Sequence, residues 1–167
     1  MDISLRAVEP EDVDMMYELE NDPHIWAMGS TNVPYSRHAL LRFARECQND
    51  IYADKQVRLV VVCDGDPAGC MDLFNLDARN LHAEAAFAIL PRFRRRGIAT
   101  RALRLLTLYA QTHLGLQTLT ATTAASNIMA QSLLQRAGFT VSGTLRRWLR
   151  IDRTMEDAII YQIDLAV

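Results

Sequence analysis

The sequence predicts an α+β fold in which a mixed, mostly antiparallel sheet is layered with helices. Three observations lead there: short β-branched runs joined by tight turns, several amphipathic helical runs with caps, and hairpins that outnumber parallel crossovers. The 167 residues carry no internal repeat, low-complexity tract or Gly/Ser/Pro linker, so one domain is expected.

The alternation of Ile3-Ser4-Leu5-Arg6-Ala7-Val8 predicts a first strand. Pro10 sits where a first helical turn tolerates proline, which predicts a helix to Glu20 that Asn21-Asp22-Pro23 ends. Ser36 is a good N-cap for a second amphipathic helix, Arg37 to about Gln48, with Leu40, Leu41, Phe43 and Ala44 on its buried side. Val57 to Cys63 and Ala68 to Phe74 read as a hairpin turning at Asp64-Gly65-Asp66-Pro67. After the turn Asp77-Ala78-Arg79-Asn80 a strand runs from His82 to Leu90. A long helix from Ile98 to His113, stopped by Gly115, precedes a strand at Thr118 to Thr123. A helix from Asn127 to Arg136, ended by Gly138, and strands at Phe139–Leu149 and Ala158–Leu165 complete the chain.

With 50% hydrophobic and 23% charged residues the composition is globular, and no apolar run approaches the ~20 residues of a membrane span. The opening residues lack the basic and apolar blocks of a secretory signal, so a soluble, cytoplasmic protein is expected. A formal net charge of -2 gives no global attraction to nucleic acid or anionic membranes, and neither is expected as a partner. Cys47, Cys63 and Cys70 form no C-x-x-C pair and read as small buried hydrophobes. The four histidines show no i, i+4 pairing with a carboxylate, so no metal is expected.

The stretch that carries chemistry is Ile89-Leu90-Pro91-Arg92-Phe93-Arg94-Arg95-Arg96-Gly97-Ile98-Ala99-Thr100, in the order strand, loop, helix start. A helix N-terminus offers unpaired N–H groups and about half a positive charge, which suits a phosphate. Gly97 lets a pyrophosphate approach the backbone, and the arginines can add charge-assisted bonds. Neither a Walker loop nor G-x-G-x-x-G is present. The alternatives are a solvated charge run, or a nucleic-acid contact through Arg92 to Arg96 that no interleaved aromatic platform supports.

Arg94-Arg95-Arg96-Gly97-Ile98-Ala99 fits R/Q-x-x-G-x-G/A, and Asn127-Ile128-Met129-Ala130 with Ala137-Gly138-Phe139 fits a second signature, N-x-x-A leading to a helix that ends in G-F. On these motifs the chain resembles the GNAT superfamily of acetyltransferases over nearly its whole length. It looks closest to the spermidine and the ribosomal-protein N-terminal acetyltransferases. The resemblance implies acetyl-CoA as co-substrate and a sheet splayed beside its fourth strand. It also implies pantetheine along the backbone of Phe87, Ala88 and Ile89, pyrophosphate around Arg94, Arg95, Arg96, Gly97, Ile98, Ala99 and Thr100, and Asn127 near the cofactor arm. A homo-oligomer is expected on the same ground.

An amine with a pKa near ~10.4 is depleted about a thousandfold in its nucleophilic form at neutral pH, so something must remove a proton. Glu84, on the predicted fourth strand with the small Ala86 and Ala88 on the same face, is the candidate base, or else a salt-bridged edge carboxylate. The resemblance implies direct attack of the amine on the thioester, with a backbone N–H of the splayed strand polarising the oxyanion.

Two departures matter. Many relatives place a tyrosine, the donor to the leaving thiolate, where this chain has Leu134; the acid before Pro-Tyr in spermidine enzymes is Val33 here. Glu18, Glu20 and Asp22 offer a polycation an acidic edge or form a solvated helix face, and Trp26, Tyr35 and Trp148 line an acceptor pocket or belong to the core. The reading is an N-acetyltransferase acting on a primary amine, a small molecule or polyamine ahead of a protein N-terminus, with a noncatalytic coenzyme A sensor as the rival class.

Overall fold

The computed structural model describes residues 1–26, 33–48 and 50–166, with only the backbone of Trp26. One seven-stranded sheet forms the centre, in the order β1 (Ile3–Ala7), β2 (Val57–Cys63), β3 (Asp66–Asp77), β4 (His82–Ile89), β5 (Thr118–Ala124), β7 (Thr154–Asp164) and β6 (Thr140–Ile151). Every neighbouring pair is antiparallel except β4 with β5.

Helices cover both faces. On one, α5 (Ile98–Thr112) and α6 (Ile128–Arg136) bury Ile98, Ala102, Leu103, Leu106, Ala110 and Leu134 against Leu59, Met71, Leu73, Leu119 and Tyr161. On the other, α1 (Val13–Glu20) and α3 (Arg37–Glu46) bury Met15, Met16, Leu19, Leu40 and Ala44 against Val60 and Cys70. Ser36 caps α3 as expected, its hydroxyl accepting from the Ala39 N–H at 3.0 Å.

Several boundaries differ from expectation, each for a local reason. The first hairpin turns in two residues, because Asp64 and Gly65 both take left-handed φ (52° and 91°); β3 therefore starts at Asp66 and takes in Pro67 beside a bulge. Pro10–Asp12 is a 3-10 turn ahead of α1, and Pro23 opens a further short helix, α2 (Pro23–Trp26). Another, α4 (Ile51–Asp54), is capped by Asp50, whose carboxylate accepts from the Tyr52 N–H at 2.9 Å. A tight turn at Asp152, φ 53°, lets β6 reach Ile151 and β7 begin at Thr154, so the last hairpin is longer than its apolar residues suggested.

Candidate active site

The site begins where the sheet parts. β4 and β5 pair only at His82–Thr118, Ala83–Leu119 and Glu84–Thr120. Beyond that β4 stays with β3 as far as Ile89, while β5 stays with β7 as far as Ala124. The strands are parallel, so the gap opens toward both C-terminal ends, over about 17 Å of strand. The start of α5 follows one of those ends and the start of α6 the other, so both helix N-termini stand at the mouth of the wedge.

β4 lends the wedge its backbone. The Leu90 N–H donates to Ala68 O on the β3 side at 2.9 Å. Alternation along the strand then turns the N–H and C=O groups of Phe87 and Ile89 away from β3, into the gap. Ala88 faces the α1 and α3 side with Glu84 and Ala86. This close packing has a sequence cause at Gly69: a Cβ there would lie 2.2 Å from Ala88 O. The glycine is required for space.

The loop after β4 ends in donors. Arg95 (φ 59°) and Gly97 (φ 75°) are both left-handed, and a Cβ at Gly97 would meet nothing within 4 Å. Among the described residues, none of the backbone N–H groups from Arg95 to Thr100 donates a hydrogen bond, and the first in α5 to do so is Arg101, to Gly97 O at 3.2 Å. Ile98 itself is buried and anchors the helix start, so this amide run is held in place by the core.

The arginines divide. Arg94 points inward: its Nε donates to Ile89 O at 2.8 Å and its Nη2 to Asp22 at 3.1 Å. Arg92 donates to both oxygens of Glu18, at 2.9 and 2.8 Å. Arg95 and Arg96 make no ion pair among the described residues, and Arg96 lies over the Phe93 ring at 5.6 Å. Glu20 pairs with Arg58, which also holds Asp72 at 2.7 and 2.9 Å. Desolvation opposes the charge on Arg58, but the Asp72 and Glu20 carboxylates more than offset it and hold its pKa well above the ordinary value. The acidic edge at Glu18, Glu20 and Asp22 is thus neither free for a polycation nor merely solvated. Each carboxylate holds an arginine up to 74 residues away, a pairing that no local pattern reveals.

Glu84 is the last β4 residue paired with β5, at the apex of the wedge, and its carboxylate accepts from Asn75 Nδ2 at 3.2 Å. Asn127 caps α6, its side chain accepting from the Ala130 N–H at 3.1 Å, so it sits at the mouth. Gln131, which sequence reasoning missed, ties α6 to the end of β5 by donating to Ala124 O and Ala125 O at 3.3 and 2.8 Å. Leu134 is 1% exposed and belongs to the core. Tyr35 is part-buried beside α1, and Trp148 is 63% exposed on the last hairpin, outside the core. The expectation for the Trp26 ring lies outside the described residues.

A splayed β4/β5 pair with an unengaged amide run at a helix start is an arrangement suited to a long, phosphate-bearing ligand. Residues 2–140 match the family model for the acetyltransferase (GNAT) domain, and the chain belongs to that family of acetyl-CoA-dependent N-acetyltransferases. It is 29% identical over 157 residues to spermidine N(1)-acetyltransferase of Escherichia coli (strain K12), covering 94% of this chain and 83% of that one. It is 28% identical over 166 residues to the putative ribosomal N-acetyltransferase YdaF of Bacillus subtilis (strain 168), covering 96% and 90%. The fold superposes with a TM-score of 0.86 on spermidine N-acetyltransferase from Vibrio cholerae in complex with CoA and spermine, at 24% identity over 98% of this chain and 95% of that chain.

Proposed function

We infer that this chain moves the acetyl group of acetyl-CoA onto a primary amine by direct attack within the β4/β5 wedge. The observation that carries the reading is the unengaged amide run from Arg95 to Thr100, standing at the mouth of a gap whose wall is the backbone of Phe87, Ala88 and Ile89. The pyrophosphate is assigned to that run with Arg95 and Arg96, the pantetheine to the β4 edge, and the cofactor arm to the neighbourhood of Asn127. Arg94 serves the same site as a strut, holding Ile89 O and Asp22.

At the apex, Glu84 takes a proton from the incoming ammonium, directly or through water, and leaves a neutral nitrogen to attack. As the N–C bond forms, a wedge-facing N–H of β4 stabilises the charge growing on the carbonyl oxygen. The C–S bond then breaks. With Leu134 packed in the core, the thiolate takes its proton from water, which is tolerable because a thiol of pKa near ~8.5 is a fair leaving group without a dedicated acid. Holding both substrates in one gap supplies most of the acceleration, roughly 7 to 11 kcal/mol where alignment is good.

A polyamine is one candidate acceptor, named for the relatives, but it would have to displace arginines from Glu18, Glu20 and Asp22 to use those carboxylates. The reading assigns no metal and a cytoplasmic location; among the described residues no helix is long and apolar enough to cross a membrane. Exposed Ile128, Met129 and Val141 support a homo-oligomer.

Release of free thiol from acetyl-CoA with a panel of amines tests the reading, beside titration calorimetry of acetyl-CoA. Glu84→Gln is expected to lower kcat by about a hundredfold and leave acetyl-CoA affinity within about twofold. Tight binding without turnover on any amine would favour a coenzyme A sensor, and an unchanged pH–rate profile would remove Glu84 from the base role.

A further inference from the structure

β3 carries one extra residue beside Glu84. It pairs with β4 at Phe74–Glu84 and again at Asp77–His82, and between those pairs β3 has two residues, Asn75 and Leu76, where β4 has only Ala83. Leu73, Leu76 and Ala83 all pack in the core beneath α5, so Leu76 takes the core position that strict alternation would have given to Asn75. Asn75 is the residue left over. It stands at φ 51°, a left-handed value that asparagine tolerates better than most residues with a side chain. The bulge turns its amide onto the face of Glu84, where Nδ2 donates to Glu84 Oε2 at 3.2 Å.

This partner differs in kind from those of the neighbouring carboxylates. Glu18, Glu20, Asp22 and Asp72 each hold an arginine, and Asp77 faces His82 at 3.7 Å. Phe74 and Thr120, the residues directly opposite Glu84 on β3 and β5, carry no charge. Glu84 is therefore held by a neutral amide at Oε2, and among the described residues its Oε1 accepts no hydrogen bond. An arginine in that place would fix the carboxylate and also hold it as an anion with little affinity for a proton. An amide fixes it without adding a charge.

On the reading that Glu84 is the base, we propose that Asn75 is its positioning residue. The amide fixes the carboxylate through Oε2, so the proton leaving the acceptor ammonium goes to Oε1. The product of that step is a neutral carboxyl, still bonded to Asn75, and a neutral amine whose electron pair is free to attack the thioester carbon. A left-handed side-chain-bearing residue costs stability, and such a cost persists beside a reacting group when the aim of a side chain depends on it.

The test uses the full chain with acetyl-CoA and a panel of amines that includes spermidine and a synthetic peptide with a free amino terminus. Asn75→Gly keeps the left-handed bulge and removes only the amide, so the melting temperature is expected to hold within about 2 °C. Its kcat is expected to fall about tenfold, with KM for acetyl-CoA within about twofold of the parent. Asn75→Asp, close in shape but charged, is expected to move the acid limb of the kcat/KM profile up by about one pH unit, because a like charge favours the protonated form of Glu84. Added to Glu84→Gln, Asn75→Gly is expected to change kcat by less than about twofold, since the residue acts through Glu84. Without any turnover, the NMR signals of the Asn75 side-chain amide are expected to shift with pH across the carboxylate range in the parent and to lose that shift in Glu84→Gln.

A parent-like kcat in Asn75→Gly, an unmoved acid limb in Asn75→Asp, or a full tenfold loss when Asn75→Gly is added to Glu84→Gln would overturn the proposal and leave Glu84 in its role. Amide signals that respond to pH identically in parent and Glu84→Gln would also overturn it, because the contact would then be absent. Parent-like turnover and pH dependence in Glu84→Gln is the separate failure of the base reading, and the proposal falls with it. No thiol release with every amine of the panel would sink the acetyltransferase reading and the proposal together.

Discussion

Gly69→Ala should damage the protein in a way that reports directly on the wall of the wedge. Gly69 lies on β3 opposite Ile89, and the added methyl would sit 2.2 Å from Ala88 O and 2.9 Å from Ile89 Cα. A carbon and a carbonyl oxygen need roughly 3.2 Å or more, so about 1 Å of displacement is required, and the atoms in the way are backbone. Overpacking of this kind costs about 1 to 3 kcal/mol; the upper half of that range applies here because no side chain can rotate to relieve it. At about 2 to 4 °C per kcal/mol for a domain of this size, the melting temperature should fall by roughly 5 to 10 °C. Because Ala88 and Ile89 form one wall of the gap, acetyl-CoA affinity should fall at least about tenfold along with it. Gly143→Ala is the control, since its methyl would meet nothing within 4 Å. Differential scanning fluorimetry and titration calorimetry on both variants suffice. If Gly69→Ala matches the parent in melting temperature and acetyl-CoA affinity, the close approach of β3 to the wedge wall is wrong.

Three further outcomes follow from other parts of the molecule. Gly97→Ala should cost about 1 kcal/mol in stability, because a Cβ is strained at φ 75°, and lose acetyl-CoA affinity well beyond that, because the open space beside Gly97 is assigned to the pyrophosphate; calorimetry separates the two effects. Asp12→Asn should destabilise by about 1 to 2 kcal/mol, since the buried carboxylate accepts two bonds from Arg6, itself 39% exposed, and one from the Glu9 N–H. Burial alone would raise the Asp12 pKa, but the Arg6 and Glu9 bonds take it below its usual 3.8, so this stabilisation is complete above that pH and is lost as pH falls through the lowered value. Urea titrations of parent and variant should therefore converge in strong acid and differ at neutral pH. Native thiol labelling should reach Cys47 slowly and leave Cys63 and Cys70 untouched, since Cys63 is buried and burial pushes the Cys70 thiol up to about 12; rapid alkylation of Cys70 would contradict its place in the core.

Much of this was legible in the sequence where physics is local. The Ser36 cap, the apolar spacing through Leu103, Leu106 and Ala110, and the β-branched run from Val57 announce α3, α5 and β2 directly. Four-residue helices such as α2 and α4 have no period to read and were missed. The strand, loop and helix order around Gly97 marked the amide run, because glycine at a helix start is a backbone signal. The wedge itself was readable only through family resemblance: the parting of β4 from β5 depends on which strand each pairs with, a nonlocal property. Nor did the Arg94–Asp22 and Arg92–Glu18 pairs show, since each joins segments more than 70 residues apart and turns an apparent run of free cations into partly committed struts.

The central claim is that acetyl-CoA lies between β4 and β5 with its phosphates on the start of α5. Amide chemical-shift mapping of the isotopically labelled protein during acetyl-CoA titration tests it most directly. The account predicts the largest shifts at the N–H groups from Arg95 to Thr100 and at Phe87 and Ile89, with β1 and β2 silent. Saturable shifts that avoid those amides and cluster elsewhere, for instance around Leu108 and Gln111 near the far end of α5, would contradict it.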